Sequence, residues 1–335
     1  MPPRLRDNRD ELDALLARAA EALNRPVSFL EKDFWAMEVL RVAAVDRSIT
    51  YGNGDSTGTV RTVFKGGTSL SRVHGLIDRF SEDVDLLVLF PDNDGGPGTG
   101  ARDGVLKAIQ AEVQAHLGLP DERIEVIYPK RGIARAVKYY YPLHTAVDTA
   151  LTEGVTLEMG TRGGPEPMKR YPLRSIVAEY AIDELEEPED QWEEFTPFEV
   201  NVLGAERTLL EKLSAVHSNA SDPELVETKL PQSGRHFYDI HMLLQSEEVR
   251  SELVRIGRSG VEALVLDIEE RSAAAQWRFV PRPADGYASS PAFASDGPVA
   301  TAVRSAYLSA EALMYGPVVP LEECLASVHI WAELL

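Results

Sequence analysis

The sequence is poor in cysteine and has no long apolar run. Its single cysteine, Cys324 among 335 residues, cannot form an intramolecular disulfide, and no Cys-x-x-Cys pair suggests a thiolate metal site. No apolar run reaches the roughly 20 residues of a membrane-spanning helix. The first residues lack the apolar core of a secretory signal. We therefore expect a cytoplasmic protein that does not associate with a membrane.

Several catalytic motifs are also missing. There is no His-Glu-x-x-His spacing for zinc and no Gly-x-Ser-x-Gly elbow for a Ser-His-Asp hydrolase. No Gly-Lys-Ser/Thr follows a glycine-rich loop, which disfavours P-loop chemistry. The composition, 44% hydrophobic and 26% charged, is that of a globular protein large enough for a substantial core.

Acidic residues are abundant, but they are unevenly distributed. The formal net charge is −20, and residues 179–194 carry nine Asp or Glu and no Lys or Arg. Residues 128–144 contain four basic residues and no acid: Lys130, Arg131, Arg135 and Lys138. Because nucleic-acid affinity comes largely from cations that neutralise phosphates, this distribution keeps an RNA partner possible. Lys130–Tyr141 could bind RNA with Tyr139–Tyr141 stacking on bases, or form a hairpin whose aromatics enter the core.

Hydrophobic periodicity predicts an α+β fold with a mixed sheet and flanking helices, followed by a mainly helical half. We expect helices at 8–24, 27–46, about 69–75 and 104–117, strands at 59–64, 84–90, 123–128, 134–141 and 155–159, and a loop at 92–104. Further helices are predicted at 208–217, 237–244, 250–270 and 300–314. The acidic stretch suggests two domains, 1–195 and 196–335.

The strongest chemical signal is a Gly-Gly-Thr-Ser turn at 66–69 followed by Asp83 and Asp85 on a buried strand. Alternate strand residues point to the same face, so both carboxylates would project together and repel each other without a cation. Mg²⁺ prefers a few carboxylates together with substrate phosphates, and two glycines let a phosphate approach the backbone. Either half alone is a common structural feature, whereas the combination is specific.

These two motifs together resemble those of a known family. The motif at 64–70 with that at 79–86 is similar to the AbiEii/AbiGii group, which includes the MenT toxins, among polymerase-β-like nucleotidyltransferases. Segments 29–35, 206–213, 235–240 and 285–293 also resemble the family, so the likeness spans about 27–320. One departure is His236, which stands where the family commonly has an acid.

The resemblance implies a role for each matching residue. Asp83 and Asp85 would hold the metal, with Ser81 near them. Lys212 would contact the nucleotide phosphates, and Asp239 would complete the polar cluster. The phosphate contacts would come from Lys65, Gly66, Gly67, Thr68 and Ser69. The superfamily also implies a third carboxylate, for which Glu158 is the candidate in the strand at 155–159.

The residues themselves leave simpler interpretations open. Lys212 could be a surface lysine whose stem covers apolar groups. Asp239 could form an ordinary helical ion pair with Arg235, and Glu158 could be an outward polar residue on an amphipathic strand.

The resulting hypothesis is an Mg²⁺-dependent nucleotidyltransferase that moves a nucleoside monophosphate from an NTP to an acceptor hydroxyl. The resemblance suggests a toxin that modifies the tRNA 3′ end and is countered by a separate antitoxin protein. The alternatives are a protein or small-molecule acceptor, or a catalytically silent nucleotide-binding regulator.

Overall fold

The fold is built on a mixed sheet with helices around it and a helical C-terminal part. The computed structural model describes residues 2–54, 56–79, 81, 83–142, 152–314, 316 and 318–335. Its strands are β1 (Arg47–Tyr51), β2 (Ser56–Lys65), β3 (Asp83–Leu89), β4 (Ile124–Lys130), β5 (Ala134–Tyr139), β6 (Val155–Gly160), β7 (Met168–Leu173) and β8 (Phe198–Leu203). Its helices are α1 (Arg9–Leu23), α2 (Val27–Ala43), α3 (Gly66–Arg72), α4 (Thr99–Leu117), α5 (Ile176–Asp183), α6 (Ala205–Ser221), α7 (Pro223–Thr228), α8 (Gly234–Gln245), α9 (Glu247–Ala274), α10 (Gly297–Glu311) and α11 (Leu321–Ile330).

The strand order is β4-β5-β6-β3-β2-β8-β7, with β1 paired to β2 outside this path. The β2–β3, β4–β5 and β5–β6 pairs are antiparallel, and β3–β6 and β2–β8 are parallel. Strand β3 is therefore central, and its Val84, Leu86 and Val88 are buried, as expected for a strand inside a sheet.

Helices of the N-terminal part cover one face of this sheet. The Thr62 hydroxyl donates to the carbonyl of Ala44, just after α2, at 3.0 Å. On β5, Arg135 and Tyr139 both donate hydrogen bonds to Gln110 of α4, at 2.6 and 3.2 Å. Side chains alternate between the two faces of a strand, so the neighbours of Thr62 on β2 and of Arg135 and Tyr139 on β5 lie on the face away from these helices.

The contacts divide the chain into two units. The first contains Met1–Thr68, Glu82–Thr161 and Met168–Val202, and the second contains Ser69–Ser81, Arg162–Pro167 and Leu203–Leu335. The core of the second unit is formed around α6 and α8, with Leu209, Leu213 and Ile240 fully buried. The two-domain division at 195/196 stays a prediction; β8 continues the sheet beyond that residue.

The predicted fold class is confirmed, although several element predictions were wrong. Strands β1, β7 and β8 and helices α5, α7 and α11 were not predicted, because they are short or lack a clear period. The predicted loop at 92–104 contains the start of α4 at Thr99, despite its glycines. The helix predicted at 250–270 lies within α9, which is broken at Gly257, where φ is +63°.

Charged residues of segment 29–35 and of the acidic stretch at 179–194 stabilise the first unit. Asp33 of α2 accepts a hydrogen bond from the backbone N–H of Ile176 at 2.7 Å, and Lys32 donates to the carbonyl of Thr152 at 2.7 Å. Glu194 is buried and forms an ion pair with Arg6 at 2.6 Å. These charges therefore anchor backbone segments.

Candidate functional site

The first group of candidate residues lies on β3. Asp83 and Asp85 are partly exposed, whereas Val84 between them is buried, so both carboxylates belong to one face of the sheet. Asp85 is the register partner of Glu158 on β6 and of Lys65 on β2. Glu158 is exposed, although its neighbours Leu157 and Met159 are buried. All three predicted carboxylates therefore lie on the same face of adjacent strands.

The glycine turn is directly against this pair. Gly66 begins α3 with φ +77°, and a Cβ built on it would be 2.0 Å from Oδ2 of Asp85. The residue must be glycine because an L side chain would meet the carboxylate and would also be strained at this φ. The sequence predicted a turn before the helix, but the helix already starts at Gly66. The structure thus brings together the two halves of the motif.

The hydroxyl groups after the glycines are less accessible than the sequence suggested. Thr68 is buried and its hydroxyl donates to the backbone carbonyl of Asp83 at 2.5 Å. A hydroxyl has only one hydrogen to donate, so this bond fastens the start of α3 to β3. Ser69 is fully buried and Gly67 is also buried, while Lys65 is partly exposed. The phosphate contacts predicted for these residues stay predictions.

No group of three or more His, Cys, Asp or Glu side chains is arranged for a metal ion within the described ranges. The metal role of Asp83, Asp85 and Glu158 therefore stays a prediction. The role of Ser81 also stays a prediction. This residue is partly exposed and lies two positions before Asp83 in the chain.

A second group of candidate residues, in the second unit, is an ion-pair cluster around Asp239. This carboxylate is fully buried and accepts two hydrogen bonds from Arg79, each at 2.6 Å. Its Oδ2 is also 2.8 Å from Nζ of Lys212. Lys212 is only 8% exposed, which rules out the surface-lysine interpretation. The cations paired with Asp239 are Arg79 and Lys212, where helical spacing suggested Arg235. His236 also hydrogen-bonds to this carboxylate.

Burial and charge set the protonation of this cluster. Burial alone would raise the pKa of Asp239, but Arg79 and Lys212 outweigh it and hold that pKa well below its ordinary value. Burial lowers the pKa of Lys212, and the attraction of Asp239 opposes this. Burial and the Lys212 charge lower the pKa of His236 to about 4, and its Nδ1 is 3.3 Å from Nζ of Lys212. His236 is therefore neutral at pH 7.

Sequence reasoning missed Arg79, which is 2% exposed and pairs with a residue 160 positions away. Its position at the start of the family-like motif at 79–86 was the feature of the sequence that could have indicated a role for it. Of the two interpretations left open for 130–141, the hairpin whose aromatics enter the core describes two of the tyrosines: Tyr139 and Tyr141 are buried, and Tyr141 stacks on Trp35 at 5.4 Å. Tyr140 is partly exposed and donates a hydrogen bond to Glu125.

Comparison with known proteins settles the family. The family model described as "Nucleotidyl transferase AbiEii toxin, Type IV TA system" matches residues 51–302, about three quarters of the chain. The chain belongs to the AbiEii toxin family. It is accordingly a nucleotidyltransferase toxin of a type IV toxin–antitoxin system, with an NTP as substrate and an antitoxin as partner. The predicted family, enzyme class and toxin assignment are confirmed.

Other comparisons add little to the AbiEii assignment. None of the curated protein sequences matches this chain. Among solved structures, it is similar to MenT4, a nucleotidyltransferase toxin from Mycobacterium tuberculosis H37Rv, at 17% identity and a TM-score of 0.46. The match covers 95% of this chain and 96% of the MenT4 chain.

The AbiEii match includes both candidate groups, from the glycine turn to Asp239, but not α2 with its charged motif. No helix among the described residues of this AbiEii toxin has the length and apolarity needed to cross a membrane.

Proposed function

We propose that this AbiEii toxin transfers a nucleoside monophosphate from an NTP to the 3′ hydroxyl of a tRNA in the cytoplasm. The bond between the acceptor oxygen and the α-phosphorus forms, and the bond from that phosphorus to the leaving pyrophosphate breaks. The single observation that carries this proposal is the position of Asp85, which lies against Gly66 and beside Glu158.

The donor set fits a magnesium ion. Asp83 and Asp85 are partly exposed carboxylates on one face, and Mg²⁺ is typically bound by one or two carboxylates together with substrate phosphates and water. These two residues would hold the ion, which when bound neutralises phosphate charge and orients the reactants. We assign Glu158, the register partner of Asp85, to complete its shell or to accept the proton of the attacking hydroxyl.

The triphosphate is proposed to lie along the start of α3. Gly66 and Gly67 present backbone without side chains, and the N–H groups of a first helical turn favour anions. On the basis of the family motif, Lys212 would supply a cation to the phosphates. Its ammonium has three hydrogens; Asp239 engages one and His236 lies within reach of another.

Arg79 and Asp239 act through Lys212 in this proposal. The two hydrogen bonds from Arg79 fix the carboxylate, and the carboxylate in turn fixes the ammonium. Both are therefore positioning residues. We assign Ser81 a place near the transfer centre on the basis of the family motif.

A labelling experiment tests the function. The protein is incubated with each α-labelled NTP, Mg²⁺ and total tRNA, and label in RNA and in protein is measured. We expect labelled tRNA with at least one NTP, and loss of labelling in Asp83→Asn or in EDTA. The matched control is Asp92→Asn, an exposed aspartate beyond β3, which should retain activity.

Two results would contradict the proposal. If tRNA gains no label with any NTP, the tRNA acceptor is wrong; label in protein would then identify a protein acceptor instead. If Asp83→Asn labels tRNA as well as the wild type does, the carboxylate pair is not the transfer centre.

A further inference from the structure

The edge strand β4 exposes several large apolar side chains. Val126, Ile127 and Tyr128 are 38%, 50% and 52% exposed. The strand pairs with β5 on one side, and no strand pairs with its other side among the described residues. Exposed apolar residues grouped at one place commonly mark a binding surface.

The sheet register connects this edge with the carboxylates. Asp85 is the partner of Glu158, Glu158 is the partner of Ala136, and Ala136 is the partner of Tyr128. Register partners project from the same face, so Tyr128 and Asp85 belong to one face. Adjacent strands are about 4.8 Å apart, which places Tyr128 roughly 14 Å from Asp85. The residue between Tyr128 and Glu158 is Ala136, whose short side chain does not separate them sterically.

The electrostatics of this surface favour an anionic partner. Lys130 follows Tyr128 by two residues on β4 and is exposed, and Lys138, the partner of Thr156, is partly exposed on the same face. Two acids lie on this face as well: Glu125, the register partner of Lys138, accepts a hydrogen bond from Tyr140, and Glu158 is the partner of Ala136. Residues 128–144, which include both lysines, contain no acid, although the chain has a net charge of −20.

We propose that Tyr128 is a stacking platform for a base of the acceptor's single-stranded 3′ end, with Lys130 and Lys138 beside its phosphates. This inference rests on the proposed function and names the surface that binds the acceptor strand. Single-stranded nucleic acids are commonly bound by an exposed aromatic ring beside cations. A protein strand added to the edge of β4 would use the backbone of that edge and would not require an aromatic ring in line with the carboxylates.

The distance gives the platform a length requirement. Stacked bases rise about 3.4 Å each, so a strand would need about four nucleotides to extend from the transfer centre to Tyr128. A dinucleotide acceptor therefore ends before the platform, whereas a hexanucleotide reaches it.

The experiment measures KM for RNA dinucleotide and hexanucleotide acceptors of the same 3′ sequence. Stacking on an aromatic ring contributes enough that Tyr128→Ala should raise KM for the hexanucleotide at least about fivefold. KM for the dinucleotide should change less than about twofold, and Tyr128→Phe should resemble the wild type because it keeps the ring. The matched control, Ile127→Ala, removes an equally exposed apolar side chain from the same strand.

The outcomes separate this inference from the proposed function. A wild-type protein that labels neither oligonucleotide nor tRNA overturns the proposed function and the platform with it. A wild-type protein that labels both oligonucleotides, while Tyr128→Ala leaves both KM values unchanged, overturns the platform alone. An equal rise of KM in Ile127→Ala shows that the effect is not specific to the aromatic ring and also overturns the platform. A change of self-association in Tyr128→Ala without a change of KM identifies an apolar protein-binding edge and overturns it as well.

Discussion

The two groups of ionisable residues hold their charges in different ways. On β3, Asp83 and Asp85 are partly exposed next to a backbone turn, with Glu158 as a further carboxylate on the neighbouring strand. In the second unit, Asp239 is fully buried and surrounded by Arg79 and Lys212. The first group has three carboxylates, with Lys65 as the register partner of Asp85, whereas the second has two cations on one carboxylate.

This difference suggests a catalytic role for the first group and a structural role for the second. Carboxylates held close together favour binding of a cation, because the cation relieves their mutual repulsion. A buried carboxylate with two cations is already neutralised, and its loss leaves uncompensated charge in the interior. We therefore expect substitutions in the first group to remove activity, and substitutions in the second to lower stability as well.

The largest expected effect is that of Asp85→Asn on transfer. Losing a carboxylate from the pair proposed to bind the metal should lower the transfer rate by about 1000-fold, since a metal ion contributes several kcal/mol to transition-state stabilisation. The free energy of unfolding should change by no more than about 1 kcal/mol, the value of one hydrogen bond. Single-turnover labelling and urea denaturation measure the two quantities. A loss of stability as large as that of Asp239→Asn would remove the contrast between the groups.

The second prediction concerns Asp239→Asn, which leaves Arg79 and Lys212 buried without their counterion. Breaking a buried ion pair by removing one partner costs about 3–5 kcal/mol in unfolding free energy. Urea denaturation measures it, with Glu262→Gln as the matched control, because Glu262 forms an exposed pair with Arg258 at 3.0 Å. That control should lose less than about 1 kcal/mol. Equal losses in the two variants would show that the Asp239 cluster is not a buried support.

The two groups also differ in how far the sequence could predict them. The turn at Gly66 and the carboxylates on β3 are separated by few residues, so a local pattern placed them in contact. Arg79 and Asp239 are 160 positions apart, and no helical or strand period connects them. Only the three-dimensional packing shows that Asp239 pairs with Arg79, where spacing along α8 predicted Arg235.

The hairpin of β4 and β5 shows a second limit. Alternation predicted its strands correctly, but it could not tell which aromatic side chains face the helices. Tyr139 and Tyr141 enter the core, because α4 and Trp35 lie on that side, whereas Tyr128 remains exposed. Burial of a strand residue depends on the neighbouring layer, which a period of two does not identify.

A smaller effect is expected from pH in the second group. Because the pKa of His236 is about 4, below the ordinary 6.5, the folded protein binds fewer protons than the unfolded chain between those values. The unfolding free energy should therefore fall as the pH falls from 6.5 to 4. His236→Asn should reduce this dependence, measured by urea midpoints from pH 4.5 to 7.5. His217 and His241 also have lowered pKa values, so only the difference between variant and wild type is informative.

The smallest expected effect is that of Thr68→Val, which decides whether this hydroxyl belongs with the phosphates or with the protein. Because the hydroxyl donates its hydrogen to the Asp83 carbonyl, its removal should lower the unfolding free energy by about 1 kcal/mol. KM for the NTP should change less than about twofold, and Thr68→Ser, which keeps the hydroxyl, should restore most of the stability. A tenfold rise of KM in Thr68→Val with unchanged stability would mean that the hydroxyl turns to the nucleotide when it binds. Thr68 would then act with the carboxylates in chemistry and not as a support for the start of α3.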